Sequence, residues 1–527
     1  MSFITKDTPA ITRLSFDFWP LFYFVLAFFI NTSMGYGISF FYTFAFASLL
    51  IALHTLAPRC QKLLILISGL LAAFYYPFAM VWGAPNFNTL LALHATNMEE
   101  STEILTLFPW YSYAVTLLIF SLTVYALRRP IKAAQPKRYV TGICCAFSLV
   151  CIFIAPVQNR VYGGVFALKD TGYPVARFVK DVAENNQSVV RELKRMQRLS
   201  AQKDTWQITQ VAARYHIYVL VIGESARRDA LGAFGGQWDN TPFASHANGV
   251  LYSDYISASA STQKSLGLTL NLIENSKPQY QNNIVTLANR AGFQTWWFSN
   301  QGKIGQYDTP IASIARRADE VQFLKDGDFE DNKNSQDTSL LSLTAQVLAV
   351  KRQPTQLIVL HLMGSHPQAC DRTQGHYSTF VVSEETSCYL YSITQTDMLL
   401  KNLYQQLQQS GESFSLAYFS DHGLTFRERG TQRQYLAHDD KFHQNYQVPF
   451  LVLSSDDTAH NVNTTPRSAN DFLLFFSQWT GIKTQQIPWR YTFHSAESAG
   501  PRYVTNFKLR KILWQELGED SFGAASR

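Results

Sequence analysis

No apolar run of membrane length occurs after residue 157, although five precede it, at about 16–31, 36–56, 63–82, 110–127 and 139–157. Membrane character is confined to one end, and the remainder of the chain reads as a large soluble part. Lysine and arginine are absent from the loops 32–35 and 83–109, whereas Arg59 and Lys62 lie between runs two and three. Arg128, Arg129, Lys132, Lys137 and Arg138 lie between runs four and five. This asymmetry puts the basic loops in the cytoplasm and, over five spans, everything after about residue 158 on the outer side. The first run lacks the short apolar core and small-residue cleavage site of a removable signal, so an anchor that stays is expected.

Cysteine is scarce. Of six in 527 residues only Cys370 and Cys388 fall in the soluble part, which in an oxidising compartment predicts one disulfide between them. Excess charge is scarce too. The net charge of +6 arises mostly in residues 1–160, with ten Lys and Arg against five Asp and Glu, while the remainder holds 35 against 34. A soluble part without a basic stripe excludes a nucleic-acid partner. Internal repeats and low-complexity segments are absent.

What is present begins with a break, Asp170-Thr171-Gly172-Tyr173-Pro174, followed by apolar residues from Val175 to Leu199 at helical spacing, with Arg177, Lys180, Arg191, Lys194, Arg195 and Arg198 among them. This predicts a basic amphipathic helix bridging anchor and soluble domain. From about residue 214 apolar strands (217–222, 295–298, 356–361, 413–419 and 448–453) alternate with helices (338–350 and 394–409). The pattern predicts an α/β domain with a largely parallel sheet flanked by helices. The expected organisation is a five-helix anchor at 1–157, a linker with the bridging helix at 158–213 and a soluble domain at 214–527.

Three predicted strands end in groups that can hold a cation. Gly223, expected to turn the backbone, precedes Glu224; His361 and His366 follow one strand; and Asp421-His422 follow another. Parallel strands put those ends on one edge, where open α/β sheets hold ligands. His438 and His443 lie in a loop before the last strand. Nitrogen and carboxylate donors together suit zinc. The hydroxyl-rich segment Ser259-Ala260-Ser261-Thr262 supplies a nucleophile that needs a cation to ionise near neutral pH. This predicts one site of Glu224, Thr262, Asp421 and His422, and a looser second site drawing on His366 and His438, with His361 and His443 as rivals. Lys264, or Lys303 in the loop Ser299-Asn300-Gln301-Gly302-Lys303, would add positive charge. In the loop 83–109, Asn97 and Glu100 belong to a polar group placed to meet a lipid head group.

With these residues the chain resembles the phosphoethanolamine transferases of the Gram-negative inner membrane, within the alkaline phosphatase and sulfatase superfamily. The likeness spans the whole length. It is carried by Val221-Ile222-Gly223-Glu224-Ser225-Ala226-Arg227, the segment ending at Thr262, Leu360-His361-Leu362-Met363-Gly364-Ser365-His366-Pro367 and Phe419-Ser420-Asp421-His422-Gly423. Segments such as Gly83-Ala84-Pro85-Asn86-Phe87-Asn88 look more like the member that modifies a heptose of the lipopolysaccharide core. The resemblance implies a periplasmic sulfatase-like domain and transfer of phosphoethanolamine from phosphatidylethanolamine to lipopolysaccharide in two steps. Thr262 would carry the phosphoethanolamine, Glu224, Asp421 and His422 would hold one tight zinc, and His366 and His438 would lie near the phosphate and a second metal. Lipid A is a less favoured acceptor, because Ala258 and Leu268 stand where that branch often has a cysteine pair. Alternatives are another periplasmic glycan as acceptor, a phosphoglycerol transferase, a sulfatase-like hydrolase or a non-catalytic tethered sensor. A cysteine-derived sulfatase nucleophile is opposed, since no Cys lies near Thr262.

Overall fold

Apolar helices occupy the first part of the chain: α1 (Trp19–Thr32), α2 (Phe40–Leu56), α3 (Pro58–Trp82), a short α4 (Phe87–Ala95), α5 (Trp110–Arg128) and α6 (Arg138–Val161). The computed structural model describes residues 18–95, 108–130, 136–161, 166–301, 310–324, 335–351, 354–497 and 499–522. Asn97, Glu100, Lys132 and Lys303 lie outside them. By length and composition α3, α5 and α6 can each cross a membrane, whereas α1 and α2 are apolar but shorter. Two helix starts differ from expectation. The second run was expected from residue 36, but Ser39 caps the helix by accepting from Tyr42 N, so α2 begins at Phe40. The third begins at Pro58 rather than near 63, because proline fits the first turn of a helix. Arg59 therefore stands in that turn and Lys62 just after it, within the helix rather than in a loop.

The chain divides into two compact units, residues 1–89 with 104–186 and residues 90–103 with 187–527. The long helix α7 (Pro174–Ser200) is divided at Asn186. Its first half packs Phe178, Val175 and Val182 into the apolar core of the first unit. Its second half buries Val189, Leu193 and Met196, and Arg195 donates to Pro278 O while Glu192 accepts from the Tyr280 hydroxyl.

The second unit is built on an eight-stranded sheet whose strands are β1 (Ile217–Gly223), β2 (Gly249–Tyr252), β3 (Gln294–Ser299), β4 (Glu320–Phe323), β5 (Gln356–His361), β6 (Phe414–Ser420), β7 (Phe450–Ser454) and β8 (His460–Asn463). Their order is β8-β2-β7-β6-β1-β5-β3-β4. The expected parallel arrangement holds from β6 to β4, but β7 runs against both neighbours, so the sheet is mixed. Helices α8 (Thr262–Thr269), α9 (Ile284–Arg290), α10 (Pro310–Ala315), α11 (Ser339–Leu348), α12 (Ala369–Thr373), α13 (Glu384–Gln409) and α14 (Phe472–Thr480) complete the unit. Tyr218, Leu220 and Ile222 of β1 face one core with Leu266, Leu287 and Phe475 from α8, α9 and α14. Ile217, Val219 and Val221 face a second core with Leu340 and Leu403 from α11 and α13. Strands covered on both faces must be apolar at every position, which is why they read as continuous runs.

Cys370 on α12 and Cys388 on α13 are disulfide-bonded as expected, with Cα atoms 4.9 Å apart, while Cys60, Cys144, Cys145 and Cys151 are free. Closing a loop across 18 residues constrains the unfolded chain by about 3 kcal/mol. Cys370→Ser protein should therefore unfold at a lower temperature than wild type in a thermal melt. Reducing agent should lower the wild-type value and leave the variant's unchanged.

Candidate active site

Three strand ends assemble the site. In the register Ser420↔Gly223 and Ile222↔His361, the residues following β1 and β6 come side by side, so Glu224 meets Asp421 and His422. Thr262, the first residue of α8, reaches the same point. Its hydroxyl donates to Glu224 Oε2 at 3.0 Å and lies 3.2 Å from His422 Nε2. His422 Nε2 is 3.3 Å from Glu224 Oε1 and 3.5 Å from Asp421 Oδ2. The structure thus brings together all four residues expected of the first site, and Glu224, Asp421 and His422 are fully buried.

The backbone turns at Ser225 rather than Gly223. Ser225 is in the left-handed region, with φ +59°, an unfavourable place for a residue with a Cβ. Three contacts hold it there: Ser225 N donates to Asp421 Oδ1 at 3.1 Å, the Tyr389 hydroxyl donates to Ser225 O at 2.8 Å, and Ser225 Oγ donates to Glu224 Oε1 at 2.7 Å. Gly223 is needed for space, because a Cβ there would stand 2.8 Å from the Tyr418 ring. Gly364 permits a close approach of its loop, since a Cβ would lie 3.0 Å from Glu224 N and O, and its φ is +49°. Asp337 fixes that loop by accepting from the Met363 and Gly364 amides.

The protein groups alone leave this cluster unsatisfied. Asp421 Oδ1 accepts from the Ser225 and His422 amides, but buried Oδ2 accepts no hydrogen bond among the described residues. Burial, and then the neighbouring Glu224 charge, push the Asp421 carboxyl up to about 8. Burial also opposes charge on Glu224, yet the hydrogen bond and charge of His422 outweigh it and hold that carboxyl well below the usual range. On His422 burial is outweighed by Asp421 and Glu224, which lift the ring to about 9. A divalent cation placed there would satisfy these groups together. His422 Nδ1, 2.9 Å from Gly423 O, can donate to that carbonyl and so leave the Nε2 lone pair facing the cluster.

His438 stands closer than the expected division into two sites implied. One ligand atom each from Glu224, His422 and His438 lies within 4.8 Å of the others, a three-residue candidate metal group. The His438 ring centroid is 4.8 Å from that of His422 and 6.3 Å from that of His366. Burial lowers His366 to about 4 and His438 to about 3, so both rings are neutral at neutral pH. Lys264 does not join the cluster. Burial lowers its pKa, and the charges acting on it are those of Glu192 and Arg195 on α7. Neither rival is in that three-residue group: His361 is buried close enough to feel the Glu224 charge, with Nδ1 3.1 Å from Ser299 Oγ, and His443 is held by Glu519 and Trp514 O. Ser225, Tyr389 and Gln301 were not read from the sequence as site residues. Gln301 donates to Glu224 Oε2 at 3.0 Å.

The sheet and these donors lie within residues 216–482, which the Sulfatase family model matches. The chain is 62% identical over 524 residues to phosphoethanolamine transferase OpgE of Escherichia coli K12, covering 99% of each chain. It belongs to the phosphoethanolamine transferase family of the alkaline phosphatase superfamily, and it is a transferase. Two solved structures share the fold. The integral membrane lipooligosaccharide phosphoethanolamine transferase A (EptA) of Neisseria meningitidis matches with a TM-score of 0.61 at 17% identity, over 89% of this chain and 96% of that one. The C-terminal periplasmic domain of E. coli EptC, in complex with Zn, matches with a TM-score of 0.52 at 19% identity, over 61% of this chain and 99% of that one.

Proposed function

We propose that the protein moves phosphoethanolamine from phosphatidylethanolamine to a sugar hydroxyl of a periplasmic glycan, through a phospho-threonine at Thr262 on a zinc site. The observation that carries this reading is the Thr262 hydroxyl set 3.0 Å from Glu224 Oε2 and 3.2 Å from His422 Nε2 beside the unsatisfied Asp421 Oδ2. Zinc suits the donors of Glu224, Asp421, His422 and Thr262, and when bound it supplies the charge that stabilises a threonine alkoxide and the phosphoryl oxygens. A second, looser metal would draw on His366 and His438.

In the first step Thr262 Oγ1 forms a bond to phosphorus while its proton passes toward Glu224 Oε2. The phosphorus–oxygen bond to diacylglycerol breaks, and the diacylglycerol oxygen leaves as an alcohol with a proton taken from solvent water. Neutral His366 and His438 can donate N–H groups to phosphoryl oxygens and accept the proton of the incoming sugar hydroxyl, which they return to solvent. The sugar oxygen bonds to phosphorus, the bond to Thr262 breaks, and Thr262 Oγ1 regains its proton from Glu224. Lys264, Lys303, Asn97 and Glu100 are assigned as contacts for the donor lipid or its phosphate.

A heptose of the lipopolysaccharide core is the acceptor implied by the resemblance of the short segments. Another periplasmic glycan is the alternative acceptor, and the 62% identity with phosphoethanolamine transferase OpgE supports the transferred group without choosing between the two. Mass spectrometry of lipopolysaccharide and of soluble periplasmic glycans, from cells with and without this chain, decides between them. One of the two pools should gain phosphoethanolamine; no gain in either would overturn the glycan reading.

The same reading assigns α1, α2, α3, α5 and α6 as five spans of the inner membrane, with the second unit's enzyme domain in the periplasm. Reporter fusions near residues 60 and 133 should read cytoplasmic, and fusions near 95 and after 165 periplasmic. A cytoplasmic reading after 165 would remove donor, acceptor and compartment together.

A further inference from the structure

We infer that Gln301 is a positioning residue, whose side-chain amide holds Glu224 in the orientation that the cation and Thr262 require. The inference rests on the proposed zinc site and Thr262 nucleophile. Beyond the end of β3 the backbone is fixed on the approach to Gln301. Asn300 N donates to His361 O at 2.8 Å, the Asn300 side chain donates to Ser335 O and Asp337 Oδ1, and Gln301 N donates to Ser299 Oγ at 3.1 Å. From that base Gln301 Nε2 donates to Glu224 Oε2 and to Leu362 O, each at 3.0 Å.

The chemistry of the neighbours sets the orientation of the amide. Leu362 O is a backbone carbonyl, which accepts and cannot donate, so the Gln301 atom 3.0 Å from it is the donating nitrogen. With oxygen in its place, two acceptors would face each other without a hydrogen between them. Both Nε2 hydrogens are therefore committed, one to the carboxylate and one to the backbone that anchors it.

Glu224 is in this way held at both oxygens. Oε1 accepts from the Ser225 hydroxyl, and Oε2 accepts from Thr262 and Gln301. The Thr262 hydrogen leaves when its oxygen bonds to phosphorus, so Gln301 is the donor on Oε2 that persists through the reaction. A neutral amide orients the carboxylate without cancelling the charge it offers a cation, as lysine or arginine would. Gln301 also ties the loop after β3 to the one after β5, since Leu362 belongs to the segment that leads to Gly364 and His366.

The test uses the full-length protein in detergent and the variant Gln301→Met, which keeps length and volume but removes both donors. Zinc affinity is measured by competition with a chelator, and melting temperature is measured after zinc removal. We expect Gln301→Met to bind zinc roughly 10–100-fold more weakly, the scale on which losing a partner of a ligating side chain acts. Its zinc-free melting temperature should match wild type. Wild-type zinc affinity in Gln301→Met, beside weakened binding in Asp421→Asn, would overturn this inference and leave the zinc site standing. A zinc-free melting temperature that falls while affinity is unchanged would overturn it too, marking a purely structural residue. A wild-type protein that binds no zinc would overturn the inference and the metal reading together.

Discussion

Thr262→Ala protein should fold, insert in the membrane and bind metal through its remaining ligands, yet release no diacylglycerol from phosphatidylethanolamine and modify no acceptor. The substitution removes the oxygen that bonds to phosphorus and leaves Glu224, Asp421 and His422 in place. Removal of an enzyme nucleophile acts on the order of 10⁴-fold or more in rate. Thr262→Ser should retain part of the activity, because the hydroxyl persists and only a methyl group is lost. The measurement is release of labelled diacylglycerol by purified protein, with melting temperature as the control for folding. Release at the wild-type rate by the alanine variant would mean that the acceptor attacks the lipid directly.

The second large effect is expected at Asp421. Its Oδ1 accepts from the Ser225 and His422 amides, and asparagine can keep both bonds through its carbonyl oxygen. What Asp421→Asn loses is the charge and the acceptor at Oδ2, which no described group satisfies. The expected result is a folded protein whose zinc affinity falls by more than the roughly 10–100-fold caused by losing a merely orienting partner, with transfer lost alongside. Zinc content by elemental analysis, at matched protein concentration, checks it. Full occupancy in the variant would place the metal elsewhere.

Much of this site was legible because its residues sit where chain geometry puts them. Glu224 follows an unbroken apolar strand, Asp421 and His422 follow another, and parallel neighbours bring such ends together whatever the intervening sequence. The disulfide was legible for a similar reason, since only two cysteines lie beyond the anchor. Other features depend on contacts that periodicity does not encode. An apolar run has no direction, so β7 could be read as a strand but not as a reversed one. His361 and His366 look alike five residues apart, and only the pleat and the turn at Gly364 bury one ring beside Ser299 and bring the other toward His438. The loop at Gln301 drew notice for the charge on Lys303, whereas the contact the structure shows there is made by a neutral amide. The turn assigned to Gly223 belongs to Ser225, whose φ of +59° is held by Tyr389 and Asp421, residues more than 160 positions away.

The central claim is a covalent enzyme form, and it can be read without knowing the acceptor. Purified protein incubated with phosphatidylethanolamine, digested and analysed by peptide mass spectrometry, should carry phosphoethanolamine on Thr262 and on no other residue of the segment Ser259-Ala260-Ser261-Thr262. Adding the true acceptor should discharge it. Labelling of Ser259 or Ser261 would contradict the assignment of the nucleophile, and an unlabelled protein that still consumes the donor and modifies its acceptor would contradict the covalent mechanism itself.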